Sequence, residues 1–317
     1  MKKSNVAVII VVAVVLFLVV ILGFAFIVFS VAGYDTGMSG DQVGLIRVEG
    51  VITSGQGSAE LFGGSMAGAE RIVKLLERFR EDGGTKSLVL RIDSPGGSAA
   101  GSQEVYEEIM RVRSEGKKVT VSMGDVAASG GYYIASAADR IYANPATLTG
   151  SIGVIMETAD FHKLLGNVGV DFNTIKSGKH KDMGSFSRSM TPDERQILQG
   201  LINDVYDQFL TDVSKGRKLP KEDVRKLADG RVYTGRQAVK LKLVDKVGSL
   251  EDALSAAAKD AGIKGKFGIK KYEQKPGLLD VLTGPMDTRF QGRIGQSDSL
   301  AELAARLLCI DPEVRIQ

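Results

Sequence analysis

Ser87-Leu88-Val89-Leu90-Arg91-Ile92-Asp93-Ser94-Pro95-Gly96-Gly97 is an apolar run that ends abruptly in a glycine-rich turn. A compact apolar stretch between turn signals reads as a strand buried on both faces. Upstream, Ile72, Leu75, Leu76 and Phe79 sit at the i, i+3, i+4, i+7 positions of an amphipathic helix, which Gly83-Gly84 stops. Downstream, Val105, Ile109 and Val112 mark a second helix, and Lys118 to Met123 a second strand. After Gly124-Asp125 the pattern recurs. Ala127-Ala128-Ser129-Gly130-Gly131 leads into a short apolar helix reaching Ala138, and Arg140 to Ala143 is again strand-like. Strands alternating with helices at this spacing predict an α/β fold of βαβ units on a largely parallel sheet.

Further out, Val43 to Ile52 alternates as an opening strand, followed by a Gly- and Ser-rich loop to about Ser65. Thr191-Pro192-Asp193-Glu194 is a capping box with proline at the first helical position. The helix it opens carries an apolar stripe at Ile197, Leu198, Leu201, Ile202, Val205 and Phe209, suited to a core or to an oligomer interface. Residues 231–249 read as turn, helix and short strand, and Leu250 to Ala261 as a last core helix. From Lys275 onward the charge is mixed and β-branched residues are few, which reads as a loosely packed tail with one amphipathic patch at Leu303 to Leu308. Cys309, among Leu307, Leu308 and Ile310, reads as a small apolar residue rather than a reactive thiol.

The 41 Lys and Arg against 38 Asp and Glu leave no basic surplus for a nucleic-acid face. One cysteine excludes an internal disulfide framework, and with two histidines it leaves too few ligands for a zinc site. Ser94-Pro95-Gly96-Gly97 has neither the dinucleotide nor the P-loop spacing, so no cofactor is expected.

From Val6 to Gly33 no charged residue occurs. At about 1.5 Å per residue that run spans a hydrocarbon core of roughly 30 Å. Ser30-Val31-Ala32 resembles a signal-peptide cleavage site, but the run exceeds the roughly 7–15 apolar residues of such peptides. Lys2 and Lys3 precede it and the first base beyond it is Arg47, which predicts a cytoplasmic N-terminus and an outward-facing remainder. The expected organisation is a cytoplasmic N-terminus and transmembrane helix (1–33), a linker (34–42), a catalytic domain (43–262) and a C-terminal extension (263–317).

Parallel sheets place their sites at the carboxyl ends of the strands, where both glycine-rich turns fall. Ser129 stands where a strand gives way to a helix N-terminus, whose dipole and free N–H groups favour a developing oxyanion. Glycines at 96, 97 and 130 let backbone N–H groups approach a reacting carbonyl. The competing reading makes Ser129 only a helix N-cap. A base for Ser129 must come from His162, His180 or the lysines of Ile175-Lys176-Ser177-Gly178-Lys179-His180-Lys181-Asp182, a segment expected just after a strand. A lysine serves only if burial lowers its pKa from about 10.4 toward about 7–8, and a solvated surface loop is the simpler account of that segment. Position 127 is Ala, so the G-x-S-x-G elbow is absent.

Five segments taken together resemble the short form of the signal peptide peptidase A family, peptidase family S49. They are Arg91 to Gly97, Ser122-Met123-Gly124-Asp125-Val126-Ala127-Ala128-Ser129-Gly130-Gly131-Tyr132-Tyr133, Leu148-Thr149-Gly150-Ser151-Ile152-Gly153-Val154, Ser177-Gly178-Lys179-His180-Lys181-Asp182, and Gly230-Arg231-Val232-Tyr233-Thr234-Gly235. The resemblance runs from about Val43 to Leu250. It implies a ClpP/crotonase-like fold of repeated ββα units, with Ser129 as nucleophile, Lys181 as general base and Ser151 orienting the amine. Lys176 and Lys179 remain alternatives for the base. It implies an oxyanion hole at Gly96, Gly97 and Gly130, and a ring of copies whose serine and lysine come from adjacent protomers. Val154 stands where a Clp-type catalytic histidine would fall, so the triad form does not apply. The implied activity is serine endopeptidase cleavage of remnant signal peptides and other apolar peptides, on the outer face of the inner membrane. The alternatives are a non-catalytic membrane-anchored scaffold and a crotonase-like acyl-CoA enzyme.

Overall fold

A computed structural model describes residues 16–19, 21–22, 41–56 and 66–273. The chain divides into two units, Met1–Gly37 with Lys275–Gln317, and Met38–Gln274. In the first, only helical residues at 16–19 and 21–22 are described, all exposed. Among the described residues no helix is long and apolar enough to cross a membrane. Most of the expected anchor, most of the linker and the tail after Glu273 lie outside the described residues.

The second unit is built on a sheet ordered β10 (Gly268–Lys271), β1 (Gln42–Glu49), β4 (Ser87–Ser94), β5 (Lys118–Ala128), β6 (Arg140–Ala143) and β9 (Lys246–Val247), with every pairing along that path parallel. β7 (Leu148–Gly150) joins β5 in parallel and takes β8 (Val232–Thr234) antiparallel at its side. A small second sheet pairs β2 (Val51–Thr53) with β3 (Met66–Gly68).

Period-two alternation sends the strand side chains to two separate cores. Ile46, Val48, Leu88, Leu90 and Ile92 meet α1 (Ala69–Glu81), α2 (Ala99–Ser114) and α3 (Gly130–Ser136) on one face. Val43, Leu45 and Val89 meet Ala253, Leu254, Ala257 and Ala258 of α8 (Leu250–Asp260) on the other. That double burial is why β4 reads as a continuous apolar run. The stripe Ile72, Leu75, Leu76 and Phe79 is buried, as its spacing predicts. The capping box at Thr191 is formed, with Glu194 N–H donating to Thr191 Oγ1 and Thr191 N–H to the Glu194 carboxylate. It starts α5 (Pro192–Arg217), which is followed by α6 (Lys221–Leu227) and α7 (Gly235–Lys240).

Four local readings change. The opening strand is split, because Gly50 turns the chain at φ 89° between β1 and β2. β5 does not stop at Met123. It runs through Gly124-Asp125 to Ala128 across a register shift, with Asp93 Oδ1 accepting the Val126 N–H at 3.1 Å. Strand β10 and the buried Tyr272 carry the folded unit past residue 262, into the segment expected to be extension. Tyr272 Oη donates to Asp82, and Lys117 Nζ donates to the Phe79, Asp82 and Thr85 carbonyls at 2.5, 2.6 and 3.1 Å. The Tyr272 bond fastens the end of β10 beside the end of α1, and Lys117 holds the chain leaving α1 in place. No strand precedes the Lys176 segment: between Ser151 and Thr191 only α4 (His162–Asn167) is regular.

Candidate active site

Parallel register brings Ala128 opposite Gly150 at the ends of β5 and β7. One residue further, Ser129 and Ser151 line the same cleft, about 350 Å³ in volume. The Ser129 N–H donates to the Gly150 carbonyl at 2.9 Å, so the two strand ends are tied at the point where the serines diverge from them.

Both serines have left-handed backbone, with φ 52° at Ser129 and 49° at Ser151. At Ser129 the ψ of −120° completes the first central position of a type II′ turn, a conformation that favours glycine. Holding a serine there stores about 1–3 kcal/mol of strain. Ser129 occupies the N-cap position of α3, yet its hydroxyl makes no capping bond. Ser98, the N-cap of α2, behaves as a capping serine should, its Oγ accepting the Gly101 N–H at 3.1 Å. Capping therefore accounts for Ser98 and not for Ser129.

The turns after β4 and β5 close on each other because glycines leave the space empty. A Cβ on Gly96, at φ 102°, would lie 2.7 Å from the Gly130 nitrogen and 2.8 Å from Ser129 Cβ. One on Gly130 would strike Ser102 Oγ and come within 3.3 Å of the Gly97 nitrogen. The Gly96 N–H is spent on Ser94 Oγ at 3.1 Å. The N–H groups of Gly97 and Gly130 have no acceptor among the described residues and stand close together beside Ser129. Unused backbone donors are the kind of group a developing oxyanion requires.

The three lysines of the 176–182 segment differ in what they touch. Lys176 Nζ donates to Asp182 Oδ1 at 2.6 Å and to the Lys179 carbonyl at 3.1 Å. Lys179 pairs with Asp193 at 2.7 Å, and that carboxylate pushes its pKa up, away from use as a base. Lys181 has no ion-pair partner among the described residues. It is exposed and is not among the residues lining the cleft. His162 Nδ1 pairs with Asp160 at 2.6 Å and His180 Nε2 lies 3.6 Å from Asp193; neither histidine lines the cleft. Arg188 clamps the lysine segment to the start of α5, donating to Asp182 at 2.8 Å and to Glu194 at 2.9 Å, and its guanidinium holds the Glu194 carboxyl down to about 2. Beside Lys176, Ile175 is completely exposed, and on the cleft Ile155 is exposed at 84%.

The far wall of the cleft comes from residues the sequence did not single out as site residues. Ile202, Asn203 and Tyr206 of α5 face it with Val154, Ile155, Ala228, Asp229 and Gly230, and Tyr206 Oη donates to the Ala228 carbonyl at 2.6 Å. Ile202 belongs to the apolar stripe of α5, whose exposed members Ile197 and Leu201 were the available hint.

A family model described as Peptidase family S49 matches residues 111–264, and one described as Clp protease matches residues 65–149. The chain is 42% identical to "Putative protease slr0021" of Synechocystis over 245 residues, 76% of this chain and 88% of that protein. It is 33% identical over 258 residues to "Putative signal peptide peptidase SppA" of Enterococcus faecium, 81% of this chain and 75% of that one. "Serine protease SPPA, chloroplastic" of Arabidopsis thaliana is 36% identical over 261 residues, 80% of this chain but 38% of the longer plant protein.

Proposed function

We propose, from the premise that this chain belongs to peptidase family S49 and is a serine protease of that family, that Ser129 and Lys181 form its working pair across two copies of the chain. The observation that carries the reading is the strained, uncapped Ser129 beside two unoccupied N–H groups. Ser129 Oγ attacks the peptide carbonyl carbon and its proton passes to the Lys181 amine. The oxyanion is met by the N–H groups of Gly97 and Gly130. Collapse expels the amine product, which takes the proton from the lysine, and water then releases the acyl group from Ser129 by the same route. Gly96 serves by leaving room, since its own N–H is engaged.

An amine works as a base only when it is stripped of water. Lys181 is exposed in the single chain, and in this reading a neighbouring copy buries it. Two features support assembly: the exposed apolar side chains Ile155, on the cleft, and Ile175, beside Lys176 in the chain, and the partly exposed stripe of α5. Ser151 is assigned the task of holding the incoming amine, a reading supported by its place in the cleft with Ser129. Lys176 and Lys179 are less suited, because each is engaged by a carboxylate.

The substrates we propose are cleaved signal peptides and other apolar peptides, a reading supported by the Val154, Ile155, Ile202 and Ala228 walls of the cleft and by the names of the relatives. Residues 1–33 are proposed as a single-pass anchor in the inner membrane, with the protease on the outer face, on the strength of the charge-free run from Val6 to Gly33. Sharing a bilayer with its substrate raises the effective concentration of each for the other.

The test is hydrolysis of a fluorogenic apolar peptide by the full-length protein in detergent. Ser129→Ala and Lys181→Ala should each lower kcat by about 10³-fold or more, as removal of one member of a catalytic unit does. Mixing the two inactive variants during assembly should restore part of the activity, because mixed rings contain intact pairs. Retention of most activity by either single variant sinks the pair, and a mixture that stays inactive sinks its placement across copies.

A further inference from the structure

Ser151 is held in its left-handed backbone from two directions. The Gly150 carbonyl accepts the Ser129 N–H at 2.9 Å, and the Ser151 N–H donates to the Arg231 carbonyl at 2.8 Å. The Gly230 N–H closes the same connection by donating to the Ile152 carbonyl at 3.2 Å. Gly150 is itself at φ 79°, so two consecutive residues adopt a conformation that side chains disfavour. What keeps them there is the loop Asp229-Gly230-Arg231, since its backbone supplies both bonds on that side.

That loop is folded on itself by one side-chain pair. The Arg231 N–H donates to Asp229 Oδ1 at 3.2 Å, and Arg231 Nε lies 2.7 and 2.8 Å from the two carboxylate oxygens, while Nη2 donates to Oδ2. Asp229 lines the cleft together with Ser129 and Ser151. The pair is well exposed, 66% at Arg231 and 46% at Asp229. Ion pairs this wet add little to stability. A clasp that contributes little to stability, yet sits two residues from the bond holding Ser151, has geometry as its function.

We propose that Asp229 is a positioning residue for proteolysis: by clasping Arg231 it aims the Arg231 carbonyl at the Ser151 N–H and so keeps Ser151, and through Gly150 the Ser129 backbone, in register. The inference rests on the reading of Ser129 as nucleophile. Asp229 itself takes no part in bond making.

The experiment is steady-state hydrolysis of the fluorogenic peptide by the full-length protein, paired with thermal unfolding. Asp229→Ala should lower kcat by about tenfold or more with KM within roughly twofold, since small misplacements of reacting groups cost rate rather than binding. The melting temperature should stay within about 2 °C, as befits an exposed pair. Asp229→Asn keeps an oxygen to accept the Arg231 N–H and should recover most of the rate. The proposal is overturned if Asp229→Ala keeps kcat within about twofold of wild type, if Asn is as poor as Ala, or if the rate loss tracks a matching fall in melting temperature. Ser129→Ala separates the two readings. If it stays active, the nucleophile assignment fails first; if it is inactive while Asp229→Ala is normal, only the clasp fails.

Discussion

Ser129 offers a comparison that isolates backbone strain from chemistry. Ser129→Ala and Ser129→Gly both remove the hydroxyl and should both be inactive, but only glycine accepts φ 52°, ψ −120° without penalty. Relief of strain is worth about 1–3 kcal/mol. Against it stands glycine's larger entropy loss on folding, about 0.5–1 kcal/mol. The glycine variant should therefore be the more stable by on the order of 1 kcal/mol, both over Ser129→Ala and over the active parent. For a folded unit of this size that is about 2–4 °C in melting temperature. The measurement is thermal and urea unfolding of the full-length variants in the same detergent, followed by far-ultraviolet circular dichroism. If Ser129→Gly melts at or below Ser129→Ala, the backbone there is unstrained and the argument that geometry is maintained at the expense of stability is wrong.

Other expectations follow from the same geometry. Gly96→Ala places a Cβ against the Gly130 nitrogen and Ser129 Cβ, so kcat should fall by about 10²-fold or more, comparable to loss of an oxyanion donor; a near-normal rate would show that the two turns do not need to touch. Tyr272→Phe loses the bond to Asp82 and should destabilise the folded unit by about 1–2 kcal/mol in urea unfolding, with the peptidase rate unchanged; a shift in rate alone would contradict a fastening role. Arg188 depresses the Glu194 carboxyl to about 2, so the Asp182–Arg188–Glu194 bridge is fully present above roughly pH 4.5 and is lost as pH falls toward 2. Hydrogen exchange over residues 176–190, corrected for intrinsic chemistry, should accelerate on acidification through that window in the parent and be fast throughout in Arg188→Met; a parent profile flat with pH would dismiss the bridge.

The sheet was legible where burial leaves a strong pattern. β4 runs Leu88-Val89-Leu90 without a polar break because helices cover both of its faces there, and α1 shows its stripe because one face meets the sheet. β10 left no such trace. Gly268-Ile269-Lys270-Lys271 has one strand neighbour among the described residues and mostly exposed side chains, so neither alternation nor an apolar run marks it. β5 was read too short because Gly124 is locally a strand breaker. The Asp93 carboxylate that fills the space a Cβ would take is a contact across strands, invisible to local reading. At the site, residue types and spacing pointed to both glycine turns but left Ser129 divided between cap and nucleophile. That choice turns on a torsion pair and an unmade bond. Likewise three lysines within six residues look alike in sequence, and only the partners of Lys176 and Lys179 set Lys181 apart.

Among the described residues, the two ends of the parallel strand path are short: β10 has four residues and β9 two, and both carry lysine, at 270, 271 and 246. A long bare margin would invite strands from other molecules to join it, whereas brief, positively charged ones discourage such joining. Edge-to-edge joining of one molecule to another at these two margins is thereby disfavoured.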